Sequence, residues 1–261
     1  MESFAALLDG LVYAPQRNAK LRLIQRWLAT GADPDRGYGL AALTGDLALP
    51  HVRPAMIRAL VESRVDPLLF ALSYDYVGDL AETVALIWPA DERDGKRSAP
   101  RLAEVAATLA AAHRDDAAAL LAGWLDALDA SGRFALLKLA TGGLRVGVSA
   151  RLAKTAVAQW GGVAVSEIEE LWHGLTPPYS PLFDWLEGGG PPPAPGDAAV
   201  FRPMMLAHPL QDGDLATLDP AQYAAEWKWD GIRVQLAASG GPDRPDGVIF
   251  SRSGDDGTAA F

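Results

Sequence analysis

The chain has no cysteine. That excludes disulfides, thiolate metal sites and thiol nucleophiles, and it fits a cytoplasmic protein. Histidine is scarce. His51, His113, His173 and His208 lie far apart and show no metal-ligand spacing. No apolar run approaches the length of a membrane span, and MESFAALLDG lacks the basic-then-apolar layout of a signal peptide. Positive charge is in deficit: 23 Lys and Arg stand against 33 Asp and Glu, a net charge of −10. Taken whole, that speaks against a nucleic-acid partner, because phosphate contacts need Lys and Arg.

The positive charge that exists is local, and local charge decides binding more than the net value. Arg17, Lys20, Arg22 and Arg26 fall in one short segment without an acid. From Ser131 to Ser166 the chain carries Arg133, Lys138, Arg145, Arg151 and Lys154, again without an acid. Acids concentrate elsewhere, at Asp91, Glu92 and Asp94 and at Asp115 and Asp116.

Apolar residues recur at helical spacing through residues 1–188. Leu21, Ile24 and Leu28 form one stripe, widened by Leu23 and Trp27. Leu80, Val84 and Ile87 form a second, Leu102, Val105 and Leu109 a third. Leu121, Trp124, Leu125 and Leu128 form a fourth. Pro54 and Pro67 mark turns between short helices, and Ser166 with Glu169 has the spacing of a capping box. The fold class expected is mainly α, with many short helices. The stretch EGGGPPPAPGDAA has no apolar periodicity and sets a linker over 189–200.

Beyond the linker the pattern changes. Asp219-Pro220 predicts a short helix through Ala224. EWKW and RVQLA predict two strands turning at Asp230-Gly231, and GVIFSRSG predicts another. Residues 201–261 therefore look like the start of an α/β or mainly-β domain, too short to bury a proper core. We expect the chain to be truncated inside that domain.

Lysine becomes a nucleophile when burial or nearby positive charge lowers its pKa. Lys228, flanked by Trp227 and Trp229, is a candidate. Arg233 and Arg252 are forked donors suited to phosphate or ribose, and Asp230-Gly231 allows a tight turn close to a ligand. An amphipathic hairpin with one solvated face is the plain alternative.

EWKWDGIR resembles the E-x-K-x-D-G-x-R attachment motif of the covalent nucleotidyltransferases, which comprise ATP-dependent DNA ligases, RNA ligases and mRNA capping enzymes. FSRSG resembles the motif that follows it in the DNA ligases, and RPMMLAHPL resembles their adenylation-domain lead-in. PQRNAKLRLIQRWL is similar to a basic helix near the N-terminus of such ligases. ATGGLRVGVSARLAKTAV resembles the L-R-x-G segment of their helical DNA-binding domain. LWHGLTPPYSPLFDWLEG looks like the end of that domain in a bacterial subgroup associated with a helicase and a nuclease.

The resemblance implies a helical DNA-binding domain over 1–188 and the N-terminal part of a nucleotidyltransferase domain over 201–261. It implies Lys228 as the residue that takes AMP from ATP, with Mg²⁺ as cofactor. Glu226 would lie near the adenine, Arg233 and Arg252 at ribose and phosphate, and Asp230 and Gly231 under the nucleotide. It implies DNA contacts at Arg17, Lys20, Gly142, Gly143, Arg145, Gly147, Arg151 and Lys154. The partner would be nicked duplex DNA, in repair, replication and recombination, with a helicase and nuclease as further partners and the ligase itself a monomer. The later metal-binding and lysine motifs of the family do not occur in these residues, so the isolated chain is expected to be inactive. Two other readings stand beside this one. A non-catalytic DNA-binding module with a vestigial nucleotidyltransferase start is the first, and an RNA ligase or capping-type enzyme the second.

Overall fold

The computed structural model describes residues 1–89, 98–194, 199–202, 204, 207–239, 246–252, 254 and 256–260, excepting the side chains of residues 114, 115, 239, 246 and 260. Asp91, Glu92 and Asp94, the side chain of Asp115, linker residues 195–198, Pro203, Met205 and Leu206 of the lead-in, and Ser253 lie outside the described residues. The described chain is mainly helical, with thirteen α-helices and one two-stranded sheet. It divides into two compact units, Met1–Val165 with Thr176–Pro193, and Ser166–Leu175 with Ala194–Phe261.

The helices run in chain order as α1 (Glu2–Tyr13), α2 (Arg17–Thr30), α3 (Asp35–Thr44), α4 (Pro54–Glu62), α5 (Pro67–Val77) and α6 (Leu80–Ile87). There follow α7 (Leu102–Ala111), α8 (Arg114–Ala127), α9 (Ala130–Thr141), α10 (Ala150–Gly161), α11 (Val165–Trp172), α12 (Ser180–Leu186) and α13 (Asp214–Thr217). The apolar stripes read from the sequence are the buried faces. Leu21, Ile24, Trp27 and Leu28 of α2 are buried, as are Leu102, Val105 and Leu109 of α7 and Leu121 and Leu125 of α8. Each fully buried Leu or Ile contributes about 1.5–3 kcal/mol against leaving it in water. Helix ends are set locally. Pro54 and Pro67 open α4 and α5, where a missing N–H costs nothing. Asp66, Asp79, Asp129 and Ser149 accept amide hydrogen bonds at the starts of α5, α6, α9 and α10. Gly142 and Gly162 close α9 and α10 in the left-handed conformation.

In the first unit, α1 packs on α2 and α9, α10 packs on α2 and α3, and α6 packs on α5 and α9. Two charged groups tie this body together. Arg36 of α3 is 5% exposed. It donates to both carboxylate oxygens of Asp33 at 2.7 Å and to both of Glu187 at 2.6 and 2.8 Å. Its guanidinium lies 4.3 Å over the Phe183 ring and 5.4 Å over Trp160. Close by, a Cβ on Gly37 would stand 1.8 Å from the Pro178 carbonyl oxygen, so residues 176–193 lie directly on α3. Tyr179 is buried there and donates to Asp46 at 2.7 Å; burial, with Asp46 beside it, pushes its phenol well up.

The second tie joins α6 to α9. Lys138 donates to Asp79 at 2.5 Å, while the same carboxylate caps α6 at the Glu82 amide at 3.0 Å. Burial raises the Asp79 pKa, but the Lys138 and Glu82 hydrogen bonds outweigh it and hold the carboxyl below its ordinary value. Asp79→Ala removes the cap and strands a buried ammonium, and is expected to destabilise the chain by about 3 kcal/mol. Asp79→Asn keeps a capping acceptor and should cost less. Urea unfolding of the two variants checks the order, and equal stabilities would refute it.

The second unit contains β1 (Val234–Ser239) and β2 (Asp246–Ser251), paired antiparallel with Val234 opposite Ser251 and Leu236 opposite Ile249. Its small core stacks His173 against Phe250 and Phe201, with ring centroids 4.7 and 5.8 Å apart. Three expectations need correction. EWKW is not a strand: residues 223–229 have no regular structure, and only Val234 onward pairs. A period-two pattern forms a strand only where another strand accepts its hydrogen bonds. Asp219-Pro220 opens a turn closed by Gln222 N–H to the Asp219 carbonyl at 3.0 Å, and the short helix lies earlier, at Asp214–Thr217. Helix α11 starts at Val165, so Ser166 sits inside its first turn and not at its cap.

Candidate nucleic-acid interface

Helices α2 and α10 lie side by side and run in the same direction. Lys20 near the start of α2 reaches the residues just before α10, and Gln25 meets Gln159 further along at 2.6 Å. Both helix N-termini therefore open at the same end. There they border a groove of about 820 Å³ lined by Arg17, Lys20, Arg145, Gly147 and Arg151 among others, with no acid in the lining. Arg17, Arg145 and Arg151 are exposed.

The local structure explains the opening. Gly142 ends α9, and Ser149 starts α10 by accepting the Leu152 amide at 3.2 Å. The chain between them turns at Gly147, φ 67°, and buries Val146. Lys20 Nζ donates to the Val146 carbonyl at 2.6 Å across a separation of 126 residues.

The electrostatics are one-sided. A helix N-terminus carries partial positive charge and favours acids in its first turn. Helices α2 and α10 have none there; Arg17 and Arg151 stand in those turns instead. Two positive helix ends and three exposed guanidinium groups border one groove. An anion lying in the groove meets the positive ends of both helices.

The sequence candidates sort clearly. Arg17, Lys20, Arg145, Gly147 and Arg151 meet in the groove. Lys154 is outside its lining, as are Gly142 and Gly143, which shape the approach to it. Arg133 and Lys138 point inward. Arg133 donates to the carbonyls of Leu125 at 2.7 Å and Trp88 at 3.2 Å, and Lys138 pairs with Asp79. Sequence reading missed Ser149 and Thr155 of the lining, although a serine just before an apolar-periodic segment is a legible cap signal. It also missed an apolar cleft between α5 and α6, where Leu72, Tyr76 and Leu86 are exposed.

The nucleotide candidates lie in the second unit, where the pairing of Val234 with Ser251 sets the flanking Arg233 and Arg252 opposite each other. Glu226, Lys228, Asp230, Gly231 and Arg233 are exposed on irregular chain, beside Trp227 and Trp229, which are 85% and 84% exposed. Arg252 is exposed in the turn after β2. Among the described residues no group of three His, Asp or Glu side chains is placed to hold a metal ion. Nor is any described helix long and apolar enough to cross a membrane.

No family model matches the chain. A DNA ligase of Methanothrix thermoacetophila is 32% identical over 133 residues, which is 48% of this chain. The match spans 22% of that protein's length. Over that stretch the chain is related to a DNA ligase.

Proposed function

We propose that this chain grips nicked duplex DNA as part of an ATP-dependent DNA ligase of the bacterial multidomain type. The observation that carries the reading is the groove. Two basic segments far apart in sequence converge there on two helix N-termini with no acid between them. Arg17, Arg145 and Arg151 would each neutralise a backbone phosphate, a form of contact that ignores base sequence. A nick-sealing enzyme needs such indifference. The ligase relative and the attachment motif point the same way.

Lys228 is the proposed nucleophile. Its amine would form a bond to the α-phosphorus of ATP as the bond to the β-phosphate breaks, releasing pyrophosphate and a proton. AMP would then pass to the 5′-phosphate at the nick, and the 3′-hydroxyl would displace it. The resemblance also implies Mg²⁺, for which the described residues supply no set of ligands. A helicase and a nuclease would be further partners. One observation favours a second reading. Lys228 and its companions are exposed, which suits a non-catalytic DNA-binding module.

The chain itself, incubated with ATP and Mg²⁺, is expected to gain no AMP. The gene product isolated from its own cells is expected to carry AMP that Lys228→Ala abolishes, as read by intact mass. A native product free of AMP that still binds nicked duplex would establish the second reading. Binding of nicked duplex that is absent, or that does not weaken with salt, would refute both.

A further inference from the structure

We infer that Lys20 is a positioning residue: its ammonium latches the loop between α9 and α10 so that Arg145 faces the groove. The inference rests on the duplex-binding reading above. Lysine is almost never buried without a partner, yet Lys20 is only 9% exposed. Its partner is a neutral backbone carbonyl, that of Val146, at 2.6 Å. This bond ties a rigid helix to a loop that carries one groove arginine on one side and the α10 cap on the other.

Gly147 shows that the lysine and the loop need each other. It adopts φ 67°, and a Cβ there would stand 2.4 Å from Lys20 Nζ. Alanine at this position would strain the backbone and drive the ammonium off Val146. The loop takes its present course only with a glycine at 147 and a cation beside it. Val146, buried at 3% exposure, is the adjoining anchor, and Arg145 follows directly from where Val146 is held. An ammonium spent on a carbonyl is a poor phosphate contact in its own right. Its effect on DNA passes through the arginine it positions.

The test is a double-mutant cycle, with binding of a fluorescent nicked duplex measured against KCl concentration. In the wild-type background, R145A should flatten the dependence of log affinity on log salt by about 0.9 and weaken binding about eightfold near 0.1 M KCl. In the K20M background, R145A should change neither quantity, because the arginine is already misplaced. G147A removes no charge and keeps Lys20, yet should reproduce the K20M loss. Melting temperatures of all variants separate this from general unfolding, and G147A serves if K20M does not fold. A full R145A effect in the K20M background would overturn the latch. Lys20 would then be an independent phosphate contact or a part of the fold alone. G147A with wild-type binding would also overturn it. Failure of R145A to weaken binding in the wild-type background would instead overturn the groove as the DNA site, and the latch with it.

Discussion

Arg36→Ala is expected to lower the melting temperature by about 10 °C. The guanidinium is buried and spans two carboxylates, Asp33 and Glu187, with a further hydrogen bond to the Leu28 carbonyl at 3.4 Å. Removing one partner of a fully buried pair costs about 3–5 kcal/mol. Here both carboxylates are about half exposed, so the lower end, about 3 kcal/mol, applies, much of it from the lost packing of the guanidinium. A chain of this size loses about 2–4 °C per kcal/mol. Phe183 and Trp160 also lose the cation they pack against. Arg36→Lys keeps the charge but not the fork, and is expected to recover only part of the loss. Thermal unfolding followed by circular dichroism measures both. A shift of under about 3 °C for Arg36→Ala would show that residues 176–193 are held on α3 by apolar packing alone.

The same network gives a pH dependence of known sign. The Arg36 hydrogen bonds hold the Glu187 carboxyl below its ordinary value of 4.5. A carboxyl depressed in the folded state stabilises the fold above its unfolded pKa. That contribution is lost as the pH falls through the folded value. Wild-type stability should therefore decline below pH about 4.5, and the decline should be shallower in Arg36→Ala. Glu187 is half-exposed, so solvent screening keeps its own share modest. An unchanged acid slope in the variant would remove Glu187 from the account.

The helical half is largely legible in the sequence, because period and caps are local. The stripes of α2, α6, α7 and α8 follow from apolar spacing, and Pro54 and Pro67 mark helix starts by their missing N–H. Direction of charge is not legible. Arg133 and Lys138 belong to the same acid-free stretch as Arg145, yet they turn inward onto Trp88 and Asp79. Only the packing of α6 and α8 against α9 decides that. Alternation in EWKW suggests a strand, but strand formation depends on a neighbour that local sequence does not contain. The meeting of Arg17 with Arg145 is the clearest case. Each segment shows its charge, and neither shows the other. The parallel pairing of α2 with α10 brings them together, and that pairing is a property of the whole core.

Converting Arg17, Arg145 and Arg151 together to alanine is expected to abolish most duplex binding. Each phosphate neutralised releases counterions and contributes about 0.9 to the slope of log affinity against log salt. Without these three arginines the slope should flatten by about 2.7, and near 0.1 M KCl binding should weaken about 500-fold. The loss should be the same for duplexes of different sequence, because backbone contacts carry no base information. The triple variant should stay folded, as its thermal unfolding checks. All three side chains are exposed, and two of them oppose the positive helix ends that bear them. Arg22 and Arg26 form the control. They are exposed on α2 and lie outside the groove lining, so their double replacement removes nearly as much charge while leaving the slope within about 0.5 of wild type. Equal losses in the two variants would mean that net positive charge on α2 attracts DNA without a defined site. A loss confined to the groove variant would mean that geometry, two helix N-termini and a latched loop aimed at one phosphate track, overrides a net charge of −10 on the chain as a whole.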